Sequence, residues 1–406
     1  MNHRPWTIFW ICAALFIMSM FYRASTAIIA QELTIDLDLS PKELGLLGSA
    51  FFYAFALIQL PLGLLLDRAG ARITMVALNI LGVLGAVILA NGDNVADGII
   101  GRILMGLGMA ANFMGPLKLF TQWFSLKKFA TVSGLLVSIG SLGSMAATSP
   151  LAFLVEELGW RDTFRSLAGF HFLLIVCFLL FVREKPDISV SKKASHPTPI
   201  GSIRRLFSDW NYWAISFSIF LRYGSFAALQ TLWAGPFLMG HLNIPQLMAG
   251  NLLLMLGFGY ILGAPTGGLL SDRVLKSRKQ TVIYGVLCSA TATFALLLWQ
   301  DNSLLLWLGA VLFAMGFFNS FGQVSYAHIR DIMPDEMAGT ALSGINFFTM
   351  MGGGLFIHGL GSVMERISPH LTDMGEAYRI TFLLCIIALV ASVALYATTR
   401  DRIPQP

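Results

Sequence analysis

Long apolar runs, almost free of charge, recur along the whole of this 406-residue chain. A helix needs about 20 mostly apolar residues to cross a bilayer. Twelve windows meet that need, at roughly 7–30, 44–66, 73–91, 96–119, 129–154, 164–182, 211–236, 248–270, 281–299, 303–328, 338–361 and 380–398. Hydrophobic residues make up 56% of the chain and charged residues only 12%, against about 25% charged in a soluble domain. A single soluble core also stops growing beyond about 250–300 residues. Lipid is the solvent that accepts this much apolar surface. The sequence therefore predicts an all-α polytopic membrane protein with twelve transmembrane helices. Its 39 glycines fit that reading, because small residues let helices approach closely in lipid.

The most polar interruption runs from Arg183 to Arg205 and contains Lys-Lys-Ala-Ser-His-Pro-Thr-Pro. It predicts an N-terminal six-helix bundle over 1–182, a cytoplasmic linker over 183–210 and a C-terminal six-helix bundle over 211–406. With a cytoplasmic N-terminus, 18 of the 27 Lys and Arg residues fall in cytoplasmic segments and 5 on the opposite side. The positive-inside rule then places both termini in the cytoplasm. The first apolar run has no small-residue cleavage site behind it and is expected to be a retained span. Compactness and short loops point to a bacterial inner membrane. The net charge of +5 sits in short clusters between apolar runs, so lipid is the expected polyanionic partner and nucleic acid is not. The four cysteines fall in four different windows without metal-ligand spacing and are expected to be buried hydrophobes.

A loop motif occurs twice. Gly63-Leu-Leu-Leu-Asp67-Arg68-Ala-Gly-Ala-Arg72 lies between windows two and three, and Gly268-Leu-Leu-Ser-Asp272-Arg273 between windows eight and nine. The two aspartates are 205 residues apart. Gly63 and Gly268 are expected to permit close helix approach. The aspartates are expected to accept bonds from a neighbouring helix N-terminus, whose N–H groups lack intrahelical partners. Arg68 and Arg273 are expected either to pair with those aspartates or to sit among lipid phosphates.

Over essentially its whole length the chain resembles the major facilitator superfamily. Gly63, Leu65, Asp67, Arg68, Gly70 and Arg72 match that superfamily's G-x-L-x-D-R-x-G-x-R loop, and Arg102, Gly106, Gly108 and Ala110 resemble its fourth-helix signature. The resemblance implies two pseudo-symmetric six-helix bundles, a cavity lined mainly by helices 1, 4, 7 and 10, and rocking between inward-open and outward-open states. It makes Gly63, Asp67, Arg68, Arg72, Arg102, Asp272 and Arg273 candidates for conformational gating. The arginine matching Arg102 is often structural in that superfamily, bonded to helix 1.

Ionisable groups inside spans cost about 2.5–3.5 kcal/mol on insertion scales and mark functional sites. Four cations fall inside the windows away from their first residues, Arg23, Arg102, Lys118 and Arg222, and no Asp or Glu lies deep in any of them. Arg23 in helix 1 and Arg222 in helix 7 open the two repeats. A matched pair of guanidiniums facing one chamber would repel, so an anion between them is the natural compensation. Each can fork onto a carboxylate or phosphate. Tyr22 and Tyr223 flank them, and either donate hydrogen bonds to the same anion or pack between helices. Lys118 either joins the site or snorkels to the interface. His328, in helix 10, is either a proton carrier or a packing residue. The string Leu221-Arg222-Tyr223-Gly224 resembles a narrower group, the organophosphate:phosphate antiporters and related organic-anion porters. That resemblance implies that Arg23 and Arg222 hold the anionic head of the substrate.

The expectation is therefore a monomeric secondary transporter of a small organic or phosphorylated anion, with a proton or counter-anion as coupling partner. A proton-coupled exporter of hydrophobic or cationic drugs is the alternative, disfavoured because such exporters usually need a membrane carboxylate. A non-transporting receptor of the same fold is disfavoured by the intact loop motifs. No nucleophile–base pair, metal-ligand cluster or nucleotide loop stands in the sequence, so no enzymatic activity, metal or cofactor is expected.

Overall fold

The computed structural model describes residues 4–184, 206–299, 304–371 and 374–401. Most of the predicted linker falls outside them. Among the described residues the chain is helical with no strand. It divides into two compact units, Met1–Asp187 with Pro245–Gly250, and Ile188–Ile244 with Asn251–Pro406.

The first unit contains α1 (Arg4–Ala24), α2 (Ala30–Asp36), α3 (Pro41–Asn91), α4 (Val95–Met109), α5 (Ala111–Trp123), α6 (Leu126–Ala146), α7 (Ser149–Leu158) and α8 (Trp160–Phe181). The start of α3 is written in three residues. Ser40 accepts from the Glu43 N–H at 3.3 Å, Glu43 accepts from the Ser40 N–H at 2.9 Å, and Pro41 needs no partner in the first turn. α3 is two spans in one continuous run, divided at Gly70. There φ is 83°, a region that a Cβ makes costly.

The second unit contains α9 (Trp210–Ala228), α10 (Gln246–Leu269) from Asn251 onward, its first turn belonging to the first unit, α11 (Arg278–Leu297), α12 (Leu305–Ser320), α13 (Val324–Ile332), α14 (Asp335–Ile367) and α15 (Met374–Ala397). Beyond Ala228, α9 runs on through π-helical turns to His241.

Ten described helices are long and apolar enough to cross a membrane, and the bent pair Val132–Ala146 and Ser149–Leu158 makes an eleventh. The remaining window is α9. It carries Asn211, Tyr212, Arg222, Tyr223 and three buried serines, Ser216, Ser218 and Ser225, and is correspondingly less apolar.

Packing inside each unit is close enough to exclude side chains. A Cβ on Gly108 would stand 2.3 Å from the Gly82 nitrogen, and one on Gly106 would stand 2.3 Å from the Phe51 carbonyl oxygen. In the second unit Gly316 meets the Leu256 carbonyl and Gly259 the Phe313 carbonyl in the same way. Beside Gly63 and Gly268, by contrast, a Cβ would meet nothing within 4 Å. The close approach expected at the loop glycines is made instead in the middle of the helices.

Buried polar groups tie the first unit together. Asn79 and Asn112 exchange amide hydrogen bonds at 2.7 and 2.9 Å, and Asn112 also donates to the Leu15 carbonyl. His171 Nε2 donates to Asn79 Oδ1 at 2.9 Å, the direction set by an oxygen that can only accept.

On α2, Glu32 Oε1 accepts from Gln246 Nε2 at 2.6 Å, while its other oxygen is buried without a partner. Burial raises the Glu32 pKa, the Glu32 N–H and Gln246 bonds oppose the rise, and Asp36 adds to it. A raised acid binds its proton more tightly folded than unfolded. Stability therefore falls as pH climbs from the ordinary glutamate range through the raised one. The Glu32→Gln protein is expected to lose that decline. Melting temperatures recorded against pH check this, and wild type and variant are expected to converge at acid pH.

Candidate functional site

In the first unit, Arg23 closes α1 with its guanidinium 5.0 Å from the Phe55 ring centroid, and its Nε is buried without an acceptor. Tyr22 is turned elsewhere. Its ring lies 6.3 Å from that of Phe164 and 5.8 Å from that of His171, and its hydroxyl is buried and unpartnered. This is the interhelical-packing side of the pair of readings open for Tyr22, because neighbouring residues on a helix point about 100° apart. Arg102, 1% exposed, donates from Nη1 to the Tyr22 carbonyl of α1 at 2.8 Å and stacks 5.0 Å over Phe51. Its Nε and Nη2 have no acceptor.

Lys118 goes to the loop motif. Its Nζ donates to the Leu66 carbonyl at 2.6 Å and to Asp67 at 2.9 Å. Asp67 is thus paired by a lysine 51 residues away, and Arg68 is exposed. In the second motif Asp272 pairs with Arg278, which also reaches Asp331 at 3.2 Å, and Arg273 is exposed.

The helix-capping role expected of the two aspartates belongs to other carboxylates. Glu184, just past α8, accepts from the Ala71 and Arg72 N–H groups at 2.9 and 3.3 Å, where the second half of α3 begins. Arg72 returns the contact, donating to the Leu179 carbonyl at the end of α8 at 2.7 Å. The second unit repeats the arrangement. Asp401, just past α15, accepts from the Ser277 hydroxyl and, at 3.4 Å, from the Lys279 N–H at the start of α11. Lys279 Nζ reaches the Ala397 and Thr399 carbonyls at 2.5 and 2.8 Å. A carboxylate at a helix N-terminus satisfies free N–H groups and meets the positive end of the dipole. Losing such a cap costs about 0.5–2 kcal/mol. Glu184→Ala and Asp401→Ala are each expected to lower stability by roughly 1 kcal/mol, additively because the sites are independent. Thermal melts of both single variants and the double variant check this.

Arg222 is the most completely enclosed cation of the second unit's site. It is 1% exposed, and Nη1 donates at 3.0 Å to both the carbonyl oxygen and Oδ1 of Asn319. Nε and Nη2 have no acceptor, and neither does Asn319 Nδ2. The guanidinium lies against Gly322, where a Cβ would stand 2.2 Å from Cζ. Tyr260 accepts from Gln323 and stacks on Phe226 at 5.3 Å, and Tyr326 contacts Thr349 at 3.0 Å. None of the ion pairs found among the described residues involves Arg222. Arg102 is equally buried with the same two nitrogens free; in either residue the Nε and Nη2 edge has the geometry to receive an anion.

His328 is occupied on both ring nitrogens. Nε2 lies 2.9 Å from the Arg400 carbonyl and Nδ1 2.7 Å from the Tyr396 hydroxyl. The carbonyl can only accept, so Nε2 carries the proton and Nδ1 accepts from Tyr396. The ring ties α13 to the end of α15.

The paired units of helices, the duplicated loop and the small-residue α3–α4 contact agree with what comparison finds. The family model of the Major Facilitator Superfamily matches residues 10–357 and, in an overlapping match, 215–406. The chain belongs to this superfamily. It is a multi-pass integral membrane transporter and not an enzyme. The probable L-galactonate transporter of Escherichia coli (strain K12) is 23% identical over 410 residues, covering 95% of this chain and 87% of that protein. The hexuronate transporter of Bacillus subtilis (strain 168) is 26% identical over 421 residues, covering 95% and 92%. Among solved structures, an inward-facing, unoccupied bacterial homolog of the human lysosomal transporter Spinster superposes with a TM-score of 0.81 at 16% identity, covering 98% of this chain and 97% of that one. At that identity the likeness speaks for the fold.

Asn319, Gln323, Tyr260 and Tyr326 were not among the residues singled out from the sequence. A signal for three of them was present. Asn319, Gly322, Gln323 and Tyr326 stand at i, i+3, i+4 and i+7, which is one face of a helix.

Proposed function

We propose that this superfamily member is a secondary active transporter of a small organic acid anion, working by alternating access, with Arg23 and Arg222 each binding the anionic group. The observation that carries the reading is Arg222: a cation 1% exposed whose Nε and Nη2 have no acceptor, and which has no paired carboxylate, among the described residues. Burying an uncompensated charge is costly, and a substrate anion is the compensation that transport chemistry requires. Relatives of this chain named as transporters of galactonate and hexuronate support a carboxylate over a phosphate ester. The organic-anion side of the narrower resemblance, through Leu221 to Gly224, is therefore the side carried here. The two six-helix halves, 1–182 and 211–406, are the proposed rocking bodies, with 183–210 joining them and both termini in the cytoplasm of a bacterial inner membrane. A proton or a counter-anion supplies the coupling.

Proteoliposome uptake tests the reading. Galactonate and glucuronate are expected to accumulate, galactitol of similar size is not, and Arg23→Gln is expected to abolish the difference. Equal uptake of the acid and the neutral polyol by the wild-type protein would overturn the assignment.

A further inference from the structure

The polar face on α12 and α13 has no role in a site that reads only charge. A greasy or unsubstituted anion needs a guanidinium and an apolar wall. Here Asn319 near the end of α12, Gly322 and Gln323 in the 3-10 turn Phe321–Gln323, and Tyr326 at the start of α13 follow one another at i, i+3, i+4 and i+7. Asn319 is 0% exposed and its Nδ2 lacks an acceptor, although its Oδ1 and backbone oxygen are both used by Arg222. Buried amide donors without partners are rare, and leaving such a bond unmade is costly. Gly322 gives the guanidinium its seat, since any Cβ there would overlap Cζ. One turn on, Gln323 donates to Tyr260, which leaves the Tyr260 hydroxyl hydrogen available. Tyr326, one turn further, is held to Asn346 and Thr349 of α14. Every group in this array besides Arg222 is a neutral amide or phenol, chemistry that matches hydroxyl groups.

We infer that the second unit reads a hydroxylated carboxylate. The Nε and Nη2 edge of Arg222 takes the carboxylate, while Asn319 Nδ2 and the Gln323–Tyr260 pair take hydroxyls on the adjacent carbons. Asn319 has a double role. Its oxygens position Arg222 by holding Nη1, and its amide nitrogen selects the substrate. This rests on the anion reading above but claims more, because an anion porter need not distinguish hydroxylated from plain acids. A site with buried donors aimed at substrate hydroxyls rejects analogues that leave those donors unpaired.

The test is equilibrium binding to the purified full-length protein, using gluconate, hexanoate and sorbitol as probes. Wild type is expected to bind gluconate at least tenfold more tightly than hexanoate and to ignore sorbitol. Tyr260→Phe is expected to weaken gluconate by about tenfold, one hydrogen bond's worth, with less effect on hexanoate; Asn319→Leu, which also removes a bond to Arg222, is expected to weaken both acids, gluconate by about tenfold more. Asn319→Asp sets a carboxylate against Arg222 and is expected to abolish binding of both acids. Gly322→Ala, which displaces the guanidinium without changing any polar group, is expected to weaken both acids together. Equal wild-type affinity for gluconate and hexanoate would overturn the hydroxyl reading and leave the anion reading standing. Binding of sorbitol as tight as gluconate would overturn both. Should Asn319→Leu not fold, Tyr260→Phe decides alone: an unchanged gluconate-to-hexanoate ratio contradicts the inference.

Discussion

Arg222→Gln is expected to abolish saturable uptake of the proposed organic acid anion while leaving a folded protein. The side chain is 1% exposed and makes its bonds to Asn319 through Nη1 alone. Nε and Nη2 are thus the edge that a carboxylate can fork onto. Hydrogen bonds to charged groups contribute roughly 1.5–3 kcal/mol each. Losing two of them costs at least about 3 kcal/mol, on the order of a hundredfold in affinity. Folding is affected less, since removing a desolvated charge offsets the loss of the Asn319 bonds. Arg222→Lys separates charge from geometry. An ammonium keeps the positive charge but not the planar fork, and weak binding with a raised KM is expected. Substrate dependence of uptake for both variants, alongside their melting temperatures, checks these outcomes.

Gly108→Val is expected to prevent recovery of a monodisperse protein. A Cβ at this position would stand 2.3 Å from the Gly82 nitrogen, 2.5 Å from the Gly82 Cα and 2.7 Å from the Leu78 carbonyl oxygen. All three are backbone atoms of α3, so no rotamer change relieves the overlap. Overpacking in a well-filled core costs about 1–3 kcal/mol, and a valine forcing two backbones apart lies at or above the upper end of that range. The helices would separate along a contact that also includes Gly85 and Gly101. Gly169→Val is the matched control, because a Cβ there meets nothing within 4 Å. Size-exclusion profiles of the two variants test the contrast: loss of the monomer peak for the first and a wild-type profile for the second.

The spans were legible because lipid imposes a crude rule. About 20 apolar residues must occur together, and the chain satisfies this again and again. Repetition of Asp67-Arg68 at Asp272-Arg273 made the duplication legible as well. Partners within the motif were not. Asp67 meets Lys118 across 51 residues, a pairing fixed by tertiary packing that no local spacing encodes. Arg183-Glu184 and Arg400-Asp401 each place a cation and an acid immediately after the last helix of a repeat, and both acids cap a helix start.

At the site, counting charges drew attention to Arg222 but missed the stripe from Asn319 to Tyr326. Amides and phenols add nothing to a charge tally, and only their helical spacing marks them. His328 shows the limit from the other side. A histidine in an apolar span reads as a proton carrier or a packing group, and only the positions of Tyr396 and Arg400 show both nitrogens engaged.

The charge held at Arg222 is tested most directly by ligand-induced thermal stabilisation, measured with galactonate and with galactitol on the wild-type and Arg222→Gln proteins. A saturating galactonate concentration a hundred times its Kd is expected to stabilise the wild type by about 2.7 kcal/mol, galactitol is expected to do nothing, and neither solute is expected to shift the variant. A galactonate shift of full size in Arg222→Gln would contradict the account.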